Sequence, residues 1–270
     1  MSSSLIPKDN HSYNSVDYWD KRYSSVGQGC DGETREYDWL VGWTDIRHIV
    51  EKCVPKSAQI LMLGCGNSLL SEQMFIDGYH NIHNIDYSAP VIKQMSTHCQ
   101  YCSRMKWSVM DCLDMKFEDN SFDVVLEKAT IDALLTKETN PWHVSQESRD
   151  LLTQIMSEMS RVLKLEGQFI SISFYGSHFR YPLYKSCSDA LKCESRFSMK
   201  AIDELGTSFH YYCYSLVKSA DKTIELEAKV YEPPKMISGL NSSESIQTID
   251  QSLDTTEVEE HNNYLFNINL

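Results

Sequence analysis

From residue 59 to about residue 174, short apolar runs rich in β-branched residues alternate with stretches whose apolar positions recur at helical spacing. The runs span residues 59–63, 82–85, 105–110, 122–126 and 168–174. Between them the spacing predicts helices over 68–77, 88–99 and 145–164. In the last, Leu151, Leu152, Ile155, Met156, Met159, Val162 and Leu163 form one apolar stripe. Gly167 is expected to end that segment, with the next strand starting at once. Strands that alternate with helices in this way predict an α/β fold, a mostly parallel sheet with helices on both faces.

Flanking segments extend this unit. Residues 43–53 and 15–23 read as helices that precede it. Residues 196–202 and 209–217 read as two late strands joined by a turn containing Gly206. A hairpin added to a parallel sheet leaves one strand antiparallel. From about residue 219 the pattern changes: Pro233-Pro234 is followed by Ser, Asn, Gln and acids with little apolar content. The expected organisation is a domain over 1–218 and an acidic tail over 219–270, whose apolar run at 264–268 is expected to be solvated.

The composition narrows the function classes. The chain has 270 residues, a formal net charge of -13 and a pI of about 5.1. Phosphate contacts need clustered Lys and Arg, so nucleic acid is not an expected partner, whereas a basic protein surface suits this charge. No stretch is long and apolar enough for a membrane helix. The first twenty residues lack a signal-peptide core and carry Asp9, Asp17 and Asp20, so the expected compartment is the cytosol. Nine cysteines are expected to be reduced thiols. His98, Cys99 and Cys102 form a short cluster, but zinc needs further ligands and no second pair is visible. No metal is expected, and these thiols read as surface groups at a helix end.

The sharpest motif is Leu63-Gly64-Cys65-Gly66-Asn67-Ser68, a buried strand that ends in Gly-x-Gly and leads into a helix. Two glycines let the backbone turn sharply and approach a ligand. Some twenty residues on, Asp86 ends the second run, where a carboxylate accepts the ribose hydroxyls of an adenosine. A dinucleotide fingerprint would have a third glycine where Leu69 stands, and there is no P-loop lysine. These absences favour a phosphate-free adenosine cofactor, S-adenosylmethionine (SAM). Asp111, with Cys112 beside it, ends the third run and reads either as a contact to the adenine edge or as a turn cap. Glu127 and Lys128 follow the fourth run, at the strand ends that face the crevice of an open α/β sheet. A surface ion pair is the other reading of these two. No Asp/Asn-Pro-Pro-Tyr is present to hold a planar amino group.

Tyr18-Trp19-Asp20-Lys21-Arg22-Tyr23, Tyr37-Asp38-Trp39, the Gly-x-Gly loop, Asp86-Tyr87-Ser88 and the segment 124–135 together resemble the eukaryotic elongation factor 1-alpha lysine methyltransferase 4 family. Pro141-Trp142, Ser177-His178-Phe179-Arg180 and Phe209-His210 extend the resemblance, which covers residues 15–218. It implies a Rossmann-like, seven-stranded class I methyltransferase that uses SAM to methylate a lysine of elongation factor 1-alpha in the cytoplasm. It also implies cofactor contacts from Trp19, Tyr23 and Trp39, and a pocket lined by Gly64, Asp86, Tyr87, Asp111, Cys112 and Lys128, with Gly66 in the loop. Activity falls to the segment 127–132, with Glu127, Lys128 and Asp132 as candidates. Glu127 or Asp132 would orient the acceptor amine; Lys128 equally suits the cofactor carboxylate. Ala129 departs from the glycine that the family commonly has there. A small-molecule methyltransferase and a SAM-binding scaffold are the competing readings.

Overall fold

The computed structural model describes residues 7, 9–26, 36–138, 140–192, 196–206 and 210–220. The expected tail from residue 221 on, with its run at 264–268, lies outside them.

A seven-stranded sheet forms the centre. Strands β1 (Ile60–Leu63), β2 (Ile82–Asp86), β3 (Lys106–Val109), β4 (Phe122–Lys128), β5 (Leu163–Ser173), β6 (Arg196–Leu205) and β7 (Tyr211–Ser219) are ordered β3-β2-β1-β4-β5-β7-β6. All neighbours from β3 to β5 are parallel, and β7 runs antiparallel to both β5 and β6. The late hairpin therefore contributes the one antiparallel strand, turning at Gly206 with φ +89°. β1 is buried at every position, as a central parallel strand covered on both faces must be. The edge strand β3 is partly exposed and mixed in composition.

Helices cover both faces. On one, α2 (Trp43–Cys53) and α3 (Leu70–Ile76) pack against Ile60, Met62, Val124 and Leu126. On the other, α6 (Gln146–Val162) and α7 (Ser177–Asp189) cover Leu61, Leu63, Val125 and Phe169. The stripe read in α6 is this buried face. A short helix α5 (Thr130–Leu134) follows β4. α1 (Val16–Val26) packs on α4 (Ala89–His98) and, with a 3-10 turn at Asn10–Asn14, builds a separate aromatic cluster.

Two local readings need correction. α6 passes directly into β5 at Leu163, so Gly167 lies within the strand instead of marking its start. The irregularity sits nearby, where Glu166 has φ +62° and the pairing register with β4 shifts. A Cβ on Gly167 would come within 2.8 Å of the Lys164 carbonyl oxygen, which explains the residue without a turn. Cys99 and Cys102 are not surface groups; both are buried in the core behind α3 and α4.

Candidate functional site

The cofactor end is assembled at the carboxyl ends of β1, β2 and β4. After β1 the chain turns through Gly64 at φ +60° and Gly66 at φ +52°, which only glycine adopts without strain. A Cβ on Gly64 would collide with the Thr130 side chain, whose hydroxyl donates to the Leu63 carbonyl at 3.0 Å. A Cβ on Gly66 would meet the Tyr23 hydroxyl at 3.0 Å. The two glycines thus bring β1, α5 and α1 together around one cavity.

That cavity has a volume of about 280 Å³. Trp19, Tyr23, Trp39, Gly64, Gly66, Asp86, Tyr87, Asp111, Cys112, Lys128 and Asp132 all line it. Asp86 is held by backbone donors: Gly66 N–H donates to its Oδ2 at 2.9 Å, and Ser88 N–H to its Oδ1 at 2.9 Å. Burial pushes its carboxyl up to about 6, against the pull of those donors, so it is mainly ionised at neutral pH. Each oxygen keeps a lone pair for a further donor. Asp111 accepts the Leu113 N–H at 2.9 Å, so it caps a turn while it lines the cavity. Burial pushes the Cys112 thiol up to about 12 and keeps it neutral.

The N-terminal segment closes the cavity with rings. Trp19 and Tyr23, four apart on α1, stack at 5.5 Å, and Trp19 Nε1 donates to the Tyr13 carbonyl at 2.7 Å. Tyr13 and Tyr37 also line the cavity, and Trp39 meets Trp19 edge-on at 6.2 Å. Arg22 lies over the Trp19, Tyr37 and Trp39 rings at 5.5–5.9 Å.

The residues after β4 divide by face. Lys128 is nearly buried in the cavity wall, and its Nζ donates to Asp38 Oδ1 at 2.5 Å and to the Val41 carbonyl at 2.9 Å. Asp38 also accepts from the Ser68 hydroxyl, so one carboxylate ties the N-terminal segment to the glycine loop and to β4. Two of the three Lys128 donors are thereby used, and its first role is to hold this segment. Glu127, read from the sequence as a candidate at the reacting atoms, points to the opposite face and is not among the residues that line the cavity. It is 1% exposed; its Oε2 accepts the Thr130 and Ile131 N–H groups at 2.9 and 3.2 Å, and its Oε1 accepts from Ser171 Oγ. Burial, then the charge of Asp132, pushes its carboxyl up to about 7. Glu127 is a positioning residue that caps α5. Asp132, on α5, accepts from Ser173 Oγ at 2.7 Å, from the Phe174 N–H at 3.1 Å and from Arg180. Burial pushes its carboxyl up, opposed by the Arg180 guanidinium and these donors.

Four participants escaped the sequence reading. Tyr13 carries no motif of its own, and Thr130 stands in the segment 124–135 with no role of its own assigned. Asp38 meets Lys128 across 90 positions of sequence, a pairing no local spacing reveals. Arg180 is a 2%-exposed cation; its place in the Ser177–Arg180 resemblance was the available signal.

The comparisons with known proteins agree with this geometry. A family model described as a methyltransferase domain matches residues 61–171, from β1 to near the end of β5. The mouse EEF1A lysine methyltransferase 4 is 35% identical over 219 residues, covering 81% of each chain. The chain belongs to the EEF1A lysine methyltransferase 4 family. The bovine member of this family is 33% identical over 233 residues, covering 85% of this chain and 87% of the relative. A human protein, the eEF1A lysine and N-terminal methyltransferase, is 35% identical over 176 residues but is covered for 23% of its length. Among solved structures, the [4+2]-cyclase SpnF superposes with a TM-score of 0.53 at 13% identity, over 80% of this chain and 99% of that one. N-methyltransferase NodS from Bradyrhizobium japonicum WM9, in complex with S-adenosyl-L-homocysteine, gives 0.50 at 13% identity, over 74% and 98%. Both show the shared fold.

Membership makes the chain a SAM-dependent methyltransferase, and the cavity fits the cofactor. Asp86, anchored by two N–H groups, has lone pairs left for ribose hydroxyls. Gly66 leaves space where a Cβ would press on Tyr23. The ring-rich wall and the acids Asp86 and Asp111 suit a cationic sulfonium.

Proposed function

We propose that the chain transfers a methyl group from SAM to a lysine ε-amine of translation elongation factor 1A, in the cytosol. The observation that carries the substrate is membership at 35% identity over 81% of a relative named for that reaction. A protein substrate and not a free metabolite is its coarser content. The cytosolic placement is supported by the seven free cysteines among the described residues.

SAM supplies an electrophilic methyl on a sulfonium, and the reaction is an in-line displacement. The work of the protein is alignment and exclusion of water. The rings of Trp19, Tyr23 and Trp39 cover the cavity and keep it dry. An acceptor lysine has a reference pKa of about 10.4, so it must reach the site as the rare neutral amine or shed a proton on entry. A desolvated cavity favours the neutral form. Asp132 lines the cavity from α5, after β4, and we assign it to the acceptor amine. A carboxylate accepts about four hydrogen bonds, and Asp132 receives three from its own fold, so it retains capacity to accept an amine N–H and orient the nitrogen lone pair. Glu127 acts one step removed, through the cap that sets α5 and hence Asp132.

The acidic balance of the chain, -13 at pH 7, steers a basic surface toward it, so association slows as salt rises. The test is incubation of the purified enzyme and labelled SAM with a cytosolic lysate, followed by identification of the labelled species. Label on a lysine of elongation factor 1A supports the proposal. Label confined to a small metabolite transfers the function to a small-molecule methyltransferase.

A further inference from the structure

Away from the SAM cavity, the fold gathers three metal-ligating side chains, with a second cysteine in the adjoining turn, that the methyl-transfer chemistry does not use. Glu72 comes from α3, His98 ends α4, and Cys99 and Cys102 form the tight turn after it, in which Cys102 N–H donates to the Cys99 carbonyl at 2.8 Å. One ligand atom each from Glu72, His98 and Cys99 lie within 4.8 Å of one another. Cys102, three residues on and buried in the same turn, adjoins this group of three without being part of it. Both cysteines are 2% exposed, as ligands of a closed site are.

A second observation points into the cluster. His98 Nε2 is shut off from solvent and makes no hydrogen bond. It lies 3.1 Å from a Glu72 carboxylate oxygen, but in a geometry that a hydrogen bond does not satisfy. The other ring nitrogen, Nδ1, is 3.5 Å from a carboxylate oxygen of Glu36. A histidine whose one nitrogen faces a carboxylate while its ring stands within reach of a thiol and a second carboxylate has the arrangement of a metal ligand with its outer orienting group.

We propose that Glu72, His98 and Cys99 form a structural zinc site that Cys102, buried in the same turn, completes as fourth ligand. Two thiolates, an imidazole and a carboxylate make a four-coordinate N/S/O set that suits zinc, and the C-x-x-C spacing is a usual one for it. The hard cations calcium and magnesium, which take oxygen ligands, do not suit two sulfurs. Glu36 immediately precedes Tyr37, whose ring lines the SAM cavity, and Glu72 lies next to Ser71, which also lines it. A zinc ion would therefore brace α3, the end of α4 and the start of the closing segment behind the cofactor.

The experiment uses the full chain, stripped with chelator under a non-coordinating reductant, then titrated with Zn²⁺ and separately with Co²⁺. The expected result is one equivalent bound, a thiolate-to-cobalt charge-transfer band and a melting temperature raised by Zn²⁺. The double substitution Cys99→Ser/Cys102→Ser abolishes the band. His98→Ala and Glu72→Gln each weaken zinc binding by roughly tenfold or more, the scale on which metal sites respond to loss of a supporting group. These two side chains are partly exposed, so their variants remain informative if the double cysteine variant does not fold. Absence of the charge-transfer band, its persistence without both thiols, or zinc affinity unchanged in both His98→Ala and Glu72→Gln overturns the site. So does a Cys99–Cys102 disulfide that forms in place of metal binding.

Discussion

Asp86 and Glu127 are both buried carboxylates at the carboxyl ends of strands that flank β1, and they do different work. Asp86 ends β2, takes one N–H from the glycine loop and one from Ser88, and faces the cavity. Glu127 lies one residue before the end of β4, takes two N–H groups from α5 and a hydroxyl from β5, and faces the helical layer on the opposite side. Position at a strand end is therefore not sufficient for a place at the reacting atoms. Side chains alternate across a sheet, so neighbouring residues at one strand end face opposite layers. The pair Glu127 and Lys128 shows this directly: the lysine, one residue on, is the one that reaches the cavity wall.

The comparison yields tests of graded size. The largest effect is expected where the Glu127 side of the sheet carries its buried charge. Arg180→Met leaves Asp132 buried without its counter-ion and should cost about 3–5 kcal/mol of folding stability, read by chemical denaturation. A loss below about 1 kcal/mol would mean that Asp132 is held neutral. Next, Asp86→Ala should weaken SAM binding by about 1.5–3 kcal/mol in calorimetry with the fold retained, the scale of hydrogen bonds to a charged group. Glu127→Gln, by contrast, should leave SAM affinity nearly unchanged. Its signature is in pH dependence. The folded protein keeps the Glu127 proton up to about pH 7, while the unfolded chain loses it near its ordinary value of 4.5. The folded state then binds more protons across that window, so this group makes stability fall as pH rises from about 4.5 to 7, and the fall levels off above it. The glutamine variant should flatten that part of the profile, by roughly 3 kcal/mol. An unflattened profile would assign the slope to another group. The smallest effect concerns Ala129, which starts α5 at φ +60°. Ala129→Gly should stabilise the protein by about 1 kcal/mol, because the left-handed conformation strains an alanine and not a glycine. A destabilised variant would show that the methyl group contributes packing worth more than the strain.

The legible parts of the sequence were those with local signals. Alternating runs and stripes placed all seven strands and the helices α1 to α4 and α6, because burial on both faces of a central strand and on one face of a helix leaves a periodic trace. The Gly-x-Gly loop and Asp86 were legible for the same reason: a turn at positive φ and an acid at a strand end are local features. α5 and α7 were not read. The first has five residues, too few for a period, and the second carries Pro182 within a weakly patterned segment. The face that Glu127 occupies depends on its register against β1 and β5, which composition does not record. The Asp38–Lys128 and Asp132–Arg180 pairs join residues 90 and 48 positions apart, and each exists only once the sheet has formed. The resemblance pointed to the segment 127–132 as a whole; the geometry divides it into a cap, an anchor and a carboxylate on the cavity.

The central claim is that one cavity, with Asp86 at the cofactor end and Asp132 at the acceptor end, methylates a lysine of elongation factor 1A. The most direct measurement gives the purified enzyme and SAM to purified, unmodified elongation factor 1A and follows lysine methylation by peptide mass spectrometry, with Asp86→Ala and Asp132→Asn in parallel. The account predicts methylation at a defined lysine by the wild-type chain. It predicts a loss in Asp86→Ala that saturating SAM partly restores, and a loss in Asp132→Asn that SAM does not restore, because the latter removes an interaction with the acceptor. A wild-type chain that binds SAM yet leaves every lysine of elongation factor 1A unmodified would contradict it.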